Sequence, residues 1–252
     1  MSQRLPSKLG KEPLIDAIFE VRFDSLGPAA SLMPGLVLPL LDGGATAFEP
    51  LPAAQLPPEI RDGDENLKLA PLMRVVWGSQ FAVLFGDRTL SIGCKMPYAG
   101  WTEFRKSILK VMQALESAAF IKRVYQFSLK YVDFFDKSDL RLSGLQRFNV
   151  NLSLGPVQVQ DEILNIRCEI PDGEFLHAVT ILTNAFVKYP EASQLEGAIL
   201  EVDTHRIEEH LDRTALLERL PSLIDAMHDS NKKFFFSCLS EQGFLELEPQ
   251  YD

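Results

Sequence analysis

Long apolar runs are missing from this 252-residue sequence, and none approaches the roughly 20 residues that a membrane-spanning helix needs. The segment Met1–Pro6 also lacks the apolar core of a secretory signal peptide. Cysteine is scarce as well, because the three cysteines lie far apart and form no CxxC pair. Secreted disulfide frameworks normally use an even number of cysteines. These absences predict a cytoplasmic protein in a reducing compartment.

Positive charge is also in short supply. Twenty-five basic side chains stand against 35 acidic ones and leave a formal net charge of −10. Nucleic-acid binding depends largely on Lys and Arg that neutralise phosphates. The densest basic group is too sparse to indicate such a surface (Lys106, Lys110, Lys122 and Arg123). We therefore expect no nucleic-acid partner and no membrane partner, and the charge favours solubility.

Sequence motifs that identify a catalytic or nucleotide-binding site are absent too. The sequence contains no GxxxxGK[ST] or GxGxxG phosphate cradle and no GxSxG nucleophile elbow. None of the cysteines carries a signature of a catalytic nucleophile. The residues of a catalytic triad can lie far apart in the sequence, so the missing motifs give a hydrolase no support but do not exclude one. We predict no cofactor, and the sequence leans against an enzyme.

What the sequence does contain is a pattern that occurs twice. Apolar and polar residues alternate over Ile15–Phe23, and a similar alternation returns over Tyr125–Phe135. A period of two is typical of a strand with one buried face. In each half a short helix, several strands and a long helix follow. We predict one integrated domain over 1–252. Within it, the repeated order is either a pseudo-duplication with repeats at 14–120 and 121–245 or the result of chance.

The remaining patterns predict an α+β fold, with a curved antiparallel sheet packed on two long helices. Its shape would be of the helix-grip or TATA-binding-protein type, an analogy that says nothing about DNA. Predicted helices lie at 29–41, 101–119, 211–219 and 221–240, the last beginning at Pro221 and ending near Gly243. Predicted strands follow at 72–77, 80–85, 89–94, 147–154, 157–160, 163–170, 175–187 and 196–204. Residues 43–71 are rich in Pro and Gly and indicate a long loop, either a lid or disordered.

Charged residues on the two matching strands are candidates for ligand binding. Glu20 and Arg22 lie on the strand face opposite the apolar residues, and Lys130 and Asp133 lie in the second copy. If the polar faces line a cavity, these charges would orient a ligand. If the faces meet water, the charges form cross-strand pairs worth about 0.2–1 kcal/mol each.

A second candidate is a metal site at Glu201, Asp203 and His205. On a strand these three side chains point to one face, where oxygen and nitrogen ligands could converge on a metal ion. The alternative is a solvated strand face, since a spacing of two residues is common.

Polar residues also interrupt the apolar stripe of the last predicted helix. His228 and Asn231 lie beside a run of three phenylalanines. A buried polar group needs a hydrogen-bond partner. A histidine in this setting is more often a satisfied core residue than a catalyst.

Three segments together resemble an uncharacterised, sporadically distributed bacterial protein family of about this length. Pro13–Phe23 is similar to its opening strand motif, and Leu129–Phe134 to its central "RYxN" strand, with Lys130 and Asp133 in place of the arginine and asparagine. His228–Phe235 is similar to its C-terminal "H-x(n)-F" helix. The resemblance implies one integrated unit. The family has no established activity, so no catalytic role transfers.

Three functions remain open on these grounds. The leading hypothesis is a non-enzymatic protein that binds a small ligand or a partner protein against its sheet. The second, which the resemblance implies and the acidic charge favours, is an interaction subunit of a bacterial defence or toxin-neutralising system. The third is a metal-assisted enzyme that uses Glu201, Asp203 and His205. A homo-oligomer is compatible with each of them.

Overall fold

The fold is seen in a computed structural model that describes residues 5–137, 142, 144–160, 162–188, 194–211 and 213–251. It is 33% helix and 42% strand, with a large open antiparallel sheet packed with helices. The predicted α+β class is therefore confirmed. Its helices are α1 (Ala29–Val37), α2 (Pro58–Gly63), α3 (Glu65–Leu69), α4 (Trp101–Met112), α5 (Ala114–Ser117), α6 (Arg213–Cys238) and α7 (Glu241–Glu246). No helix of the described residues is both long and apolar enough to cross a membrane.

The strands divide among one large sheet and two hairpin-sized ones. In chain order they are β1 (Lys8–Leu9), β2 (Leu14–Ser25), β3 (Ala45–Pro50), β4 (Met73–Trp77), β5 (Phe81–Phe85), β6 (Thr89–Cys94), β7 (Ile121–Asp136), β8 (Leu152–Leu154), β9 (Val157–Val159), β10 (Asn165–Asp172), β11 (Phe175–Val187), β12 (Leu195–Leu211) and β13 (Pro249–Gln250). Short 3₁₀ turns lie at Leu38–Leu40, Pro52–Gln55 and Gly144–Arg147.

The large sheet has nine strands in the order β10-β11-β12-β7-β2-β6-β5-β4-β3, while β1 pairs with β13 and β8 with β9. The two strands that carry the repeated pattern, β2 and β7, are neighbours in this order. Each has on its other side the last strand of its own half, β6 for β2 and β12 for β7. The two halves thus share a strand order, although their origin by duplication stays a prediction.

The chain clusters into two compact units, and neither is continuous in sequence. Unit 1 comprises Met1–Ile15, Tyr131–Thr204 and His228–Asp252. Unit 2 comprises Asp16–Lys130 and His205–Met227. Both units contain parts of the long strands β7 and β12 and of helix α6.

The core of unit 2 follows the predicted period of two. Phe19, Val21 and Phe23 are fully buried on one face of β2, and the ring of Phe19 stacks on that of Phe127 with centroids 6.3 Å apart. Helix α4 buries Phe104, Ile108, Val111 and Met112, which lie at the predicted three- and four-residue spacing, and also buries Ser107. Alternation on the strands and three- and four-residue spacing on the helix therefore meet in one apolar layer.

The core of unit 1 lies around strand β12 and the end of helix α6. Its buried members include Phe135, Leu200, Val202, Phe235, Leu239 and Leu247. The sequence predicts that Gly243 ends the last long helix, but this prediction is wrong. Gly243 lies inside α7, whose N-cap is Ser240. A Cβ at Gly243 would lie 2.3 Å from the carbonyl oxygen of Arg147. The close backbone approach is what requires a glycine there.

Two other predictions of local structure are wrong. Helix α6 runs without interruption through Pro221, which the sequence places at the start of a new helix. Within residues 43–71, which predict a loop, the chain forms edge strand β3, a 3₁₀ turn and helices α2 and α3. Proline is tolerated on edge strands and in first helical turns, so its density there does not exclude regular structure.

Candidate functional site

In unit 2, polar side chains form a hydrogen-bonded row, called here the polar row: Ser91, Glu20, Arg22, Gln126 and His205. Glu20 accepts at Oε2 from Ser91 Oγ at 3.0 Å and at Oε1 from Arg22 Nε at 2.8 Å. Gln126 joins Arg22 Nη1 at 3.4 Å to His205 Nδ1 at 2.8 Å. Because the amide oxygen faces the Arg22 donor, the amide nitrogen donates to Nδ1 of the imidazole.

The polar row includes two of the residues that the sequence predicts as ligand-binding. The side chains of Glu20 and Arg22 are 19% and 25% exposed, so their ion pair is partly shielded from water. Lys130 also belongs to unit 2, whereas Asp133 belongs to unit 1. Residues three apart on a strand point to opposite faces. The four predicted residues therefore do not share one strand face.

The predicted metal ligands Glu201, Asp203 and His205 all lie on strand β12. Among the residues that the structure describes, no group of three or more His, Cys, Asp or Glu side chains is arranged to hold a metal ion. His205 instead takes part in the polar row. A metal site at these residues stays a prediction without geometric support.

In unit 1, the most unusual polar group is the carboxyl of Asp133 on strand β7. Only 5% of Asp133 is exposed. Burial raises the pKa of Asp133 well above its ordinary value, and the negative charge of Glu12 raises it further.

Glu12 brings a second carboxyl group to this place. Although Glu12 is an exposed residue, the protein atoms around its carboxyl raise its pKa by desolvation, while the charges of Lys232 and Lys8 lower it. Lys232 Nζ donates to the carbonyl oxygen of Pro6 at 3.1 Å. The segment that carries Glu12 is also joined to β7, where Phe134 N donates to Pro13 O at 2.7 Å.

Tyr131 on strand β7, the strand of Asp133, pairs with His228 on helix α6. Tyr131 Oη and His228 Nδ1 are 3.1 Å apart, and the two rings meet edge to face with centroids 5.9 Å apart. Tyr131 is two residues from Asp133 and so points to the same strand face. His228 and Lys232 are four residues apart and share a helix face. We call Asp133, Glu12, Lys232, Tyr131 and His228 the acid cluster.

Of the acid cluster, the sequence predicts only Asp133 as a site residue. The other members come from the three segments on which the family resemblance rests, or from the residue just before the first of them. Their location in these segments is the sequence signal from which they could have been predicted as site residues. Their proximity depends on contacts between residues up to about 220 positions apart, which no local pattern contains.

Four polar residues of unit 1, on α6 and on two strands of the large sheet, hydrogen-bond to one another. Asn231 Nδ2 donates to Val202 O and to Thr204 Oγ1, both at 2.9 Å. Thr204 Oγ1 is 3.0 Å from His177 Nδ1, and His177 Nε2 is 3.2 Å from Ser230 Oγ. Since the Thr204 oxygen accepts from Asn231, its hydroxyl proton is available to His177 Nδ1. This network holds α6 on the sheet and leaves the histidine in a structural role.

No family model matches this chain, and no curated protein matches it in sequence. The family resemblance therefore stays a prediction, and function has to be argued from the geometry of the acid cluster.

Proposed function

We propose that the protein binds a small organic ligand that presents a positively charged group, such as an ammonium, to Asp133 in the acid cluster. The observation that supports this proposal is Asp133, which is 5% exposed and has the carboxyl of Glu12 as its charged neighbour. Burial disfavours the ionised form of a carboxyl group unless a positive charge compensates it. Strongly perturbed carboxyl groups of this kind concentrate at functional sites.

The charges around Asp133 favour a cation over an anion. Its charged neighbour is the carboxyl of Glu12, which repels a second negative charge. Lys8 and Lys232 act on Glu12 and do not lower the pKa of Asp133. A ligand cation would supply the positive charge that Asp133 does not receive from the protein.

Neighbouring groups narrow the class of cation. The ring of Tyr131 lies on the same strand face, and aromatic rings attract organic cations through their π-systems. No set of three or more acidic, histidine or cysteine side chains in the described residues is arranged for a metal ion. An ammonium or guanidinium group on an organic molecule fits these surroundings better than a bare metal ion.

The test is a thermal-shift and calorimetric screen of the full chain with alkylammonium, quaternary ammonium and guanidinium compounds, each beside an uncharged compound of the same shape. A ligand at a hundredfold its dissociation constant stabilises the folded protein by about 2.7 kcal/mol. We expect cations to raise the melting temperature of the wild type, and their uncharged counterparts to leave it unchanged.

Two asparagine variants make the test specific. Asp133→Asn keeps the volume and removes the group that can ionise when a cation binds, whereas Asp229→Asn makes the same change at an exposed position of α6. We expect the shift to be lost in Asp133→Asn and kept in Asp229→Asn. Equal shifts in both variants, or no shift with any cation, would overturn the proposal.

A further inference from the structure

Strand β10 of unit 1 is one edge of the nine-stranded sheet and pairs with β11 on one side. On its other side it has no partner strand among the residues that the structure describes. Every residue of β10 is exposed except Ile166, which is partly buried. A free edge presents backbone N–H and C=O groups to which another extended chain can bind. This edge is therefore a candidate interaction surface.

The backbone groups that face the free side belong to Asn165, Arg167 and Glu169. Thr183 N donates to Leu164 O at 3.0 Å, which makes this a hydrogen-bonded pair of the two strands. The register continues from there along β10 and β11 without a shift. Hydrogen-bonded and non-hydrogen-bonded pairs alternate along an antiparallel ladder. The N–H and C=O groups of the three named residues consequently point away from β11.

The side chains of β10 are complementary to those of a second β10 strand. Arg167 and Glu169 share one face, with side chains 57% and 60% exposed and a distance of 3.7 Å between their charged groups. Ile166, Cys168 and Ile170 alternate with them on the other face. The order Ile-Arg-Cys-Glu-Ile reads Ile-Glu-Cys-Arg-Ile in the opposite direction. Two antiparallel copies centred on Cys168 therefore set arginine opposite glutamate twice and isoleucine opposite isoleucine twice.

The same centre satisfies the backbone. With Cys168 opposite Cys168, each Arg167 lies opposite Glu169 of the second copy, and both residues have outward-pointing backbone groups. Each of these pairs can exchange two backbone hydrogen bonds. A centre at Arg167 would set two arginines opposite each other, and a centre at Glu169 would do the same with two glutamates. Like charges directly opposite destabilise a strand pair, so the register at Cys168 is favoured.

We propose that two copies of this chain associate by antiparallel pairing of their β10 strands, with Cys168 at the two-fold axis. Charge complementarity favours a second copy as the partner, because the same strand supplies both members of each ion pair. The surface contains no residue of the acid cluster, so its role does not depend on ligand binding at Asp133. Side chains point out of the sheet plane, so pairing of the edges does not by itself bury Cys168.

Sedimentation velocity of the full chain in reducing buffer tests the association. One strand pair is a small interface, so the dimer should be in equilibrium with the monomer. Protein concentrations from roughly 1 µM to 1 mM cover dissociation constants of that class. Salt at about 0.15 M shortens the Debye length to about 8 Å and screens the repulsion between two acidic chains. We expect dimers at the upper end of this range, and a chain that stays monomeric throughout would overturn the proposal.

Two charge-reversed variants test the surface. Glu169→Arg and Arg167→Glu each set like charges opposite one another in both pairs, so each should weaken self-association by about tenfold or more. An equimolar mixture of the two variants restores both pairs of opposite charge and should form a heterodimer. Glu49→Arg makes the same change on the other edge strand, β3, and should leave the equilibrium unchanged. A mixture that associates no better than each variant alone, or an equal effect of Glu49→Arg, would contradict the assignment.

Disulfide trapping tests the register. In the proposed pair the two Cys168 Cα atoms form a non-hydrogen-bonded pair, roughly 4.5 Å apart, a separation that a disulfide can span. Diamide takes up the two protons and two electrons that the thiols lose, so the wild type should form covalent dimers through Cys168. Cys168→Ser should form none, and Glu169→Arg should form them at least about tenfold more slowly. Equal rates in the wild type and Glu169→Arg would overturn this register.

Discussion

At the scale of single residues, Asp133 occupies surroundings that disfavour an ionised carboxyl group. Burial and the nearby charge of Glu12 both raise its pKa. The folded protein therefore keeps the Asp133 proton at pH values where the unfolded chain, with an ordinary pKa near 3.9, has lost it. In that window the folded state binds more protons than the unfolded state, so its stability falls as the pH rises.

Asp133→Asn should remove this dependence, because the amide does not titrate. We expect the free energy of unfolding of the variant, relative to wild type, to increase as the pH rises from about 4 towards the folded-state pKa, by at most about 1.4 kcal/mol per pH unit for this group. Urea denaturation across that range measures it, with Asp229→Asn as the control. If the free energy of unfolding changed with pH in the same way in the wild type and in Asp133→Asn, the raised pKa that we assign to Asp133 would be contradicted.

The three cysteines should differ in reactivity for a similar reason. Burial raises the pKa of the Cys94 thiol, and it raises the pKa of Cys238 to about 11, whereas Cys168 is exposed on β10. The thiolate is the nucleophile, so a raised pKa slows alkylation. At pH 8 we expect a thiol reagent to modify one cysteine quickly in the native protein and three in denaturant. Cys168→Ser should abolish the fast phase, and a fast phase that persists would refute the ranking.

At the scale of elements, helix α6 is held in each unit by specific polar contacts. In unit 2, Arg105 of α4 forms a two-point ion pair with Asp225, with Nε–Oδ1 at 2.7 Å and Nη2–Oδ2 at 2.8 Å. Trp101 Nε1 donates to the same carboxylate at 3.2 Å. In unit 1, Asn231 provides the corresponding attachment to strand β12.

Asn231→Leu tests that attachment. The substitution roughly keeps the volume but leaves Val202 O and the fully buried Thr204 hydroxyl without their donor. Each unsatisfied buried group costs about 1–3 kcal/mol, so we expect a loss of at least that size in the free energy of unfolding. Asn165→Leu, at an exposed position, should change stability by less than about 0.5 kcal/mol. Similar losses in both variants would show that the network contributes little.

Phe104 anchors helix α4 in the core of unit 2. Its fully buried ring has three aromatic neighbours, with centroid distances of 6.4 Å to Phe81, 6.1 Å to Tyr98 and 6.4 Å to Trp101. Phe104→Ala should cost about 3–5 kcal/mol by loss of contacts and creation of a cavity. Phe48→Ala provides the matched control, because Phe48 on the edge strand β3 is 56% exposed. Chemical denaturation that ranks the two variants equally would contradict this packing.

At the scale of the whole molecule, the strand order gives the repeated sequence pattern a structural meaning. In the first half β2 pairs with β6, and helix α4 follows β6. In the second half β7 pairs with β12, and helix α6 follows β12. The alternation over Ile15–Phe23 and Tyr125–Phe135 predicts two equivalent strands. The observed order places them side by side as β2 and β7.

Local sequence was sufficient where one chemical preference dominated. The period of two in β2 and the three- and four-residue spacing in α4 each describe a single buried face, so both elements were predictable. Pro221 and the segment at 43–71 were not, because tertiary packing maintains helix and strand where proline lowers the local preference. The polar pair of Glu20 and Arg22 was predicted from its strand face, whereas its continuation through Gln126 to His205 depends on strand order.

The sequence by itself determined the α+β class, the buried faces of the main strands and helix α4, and the acidic balance that disfavours nucleic acid. Only the tertiary structure decided that the charge of Glu12 acts on the pKa of Asp133, and that Arg147 and Asn184 line the same pocket. The physical reason is distance along the chain. Hydrophobic periodicity is set by neighbours a few residues apart, whereas the pKa of a buried carboxyl and the partners of a buried guanidinium are set by groups that folding alone brings within a few ångströms.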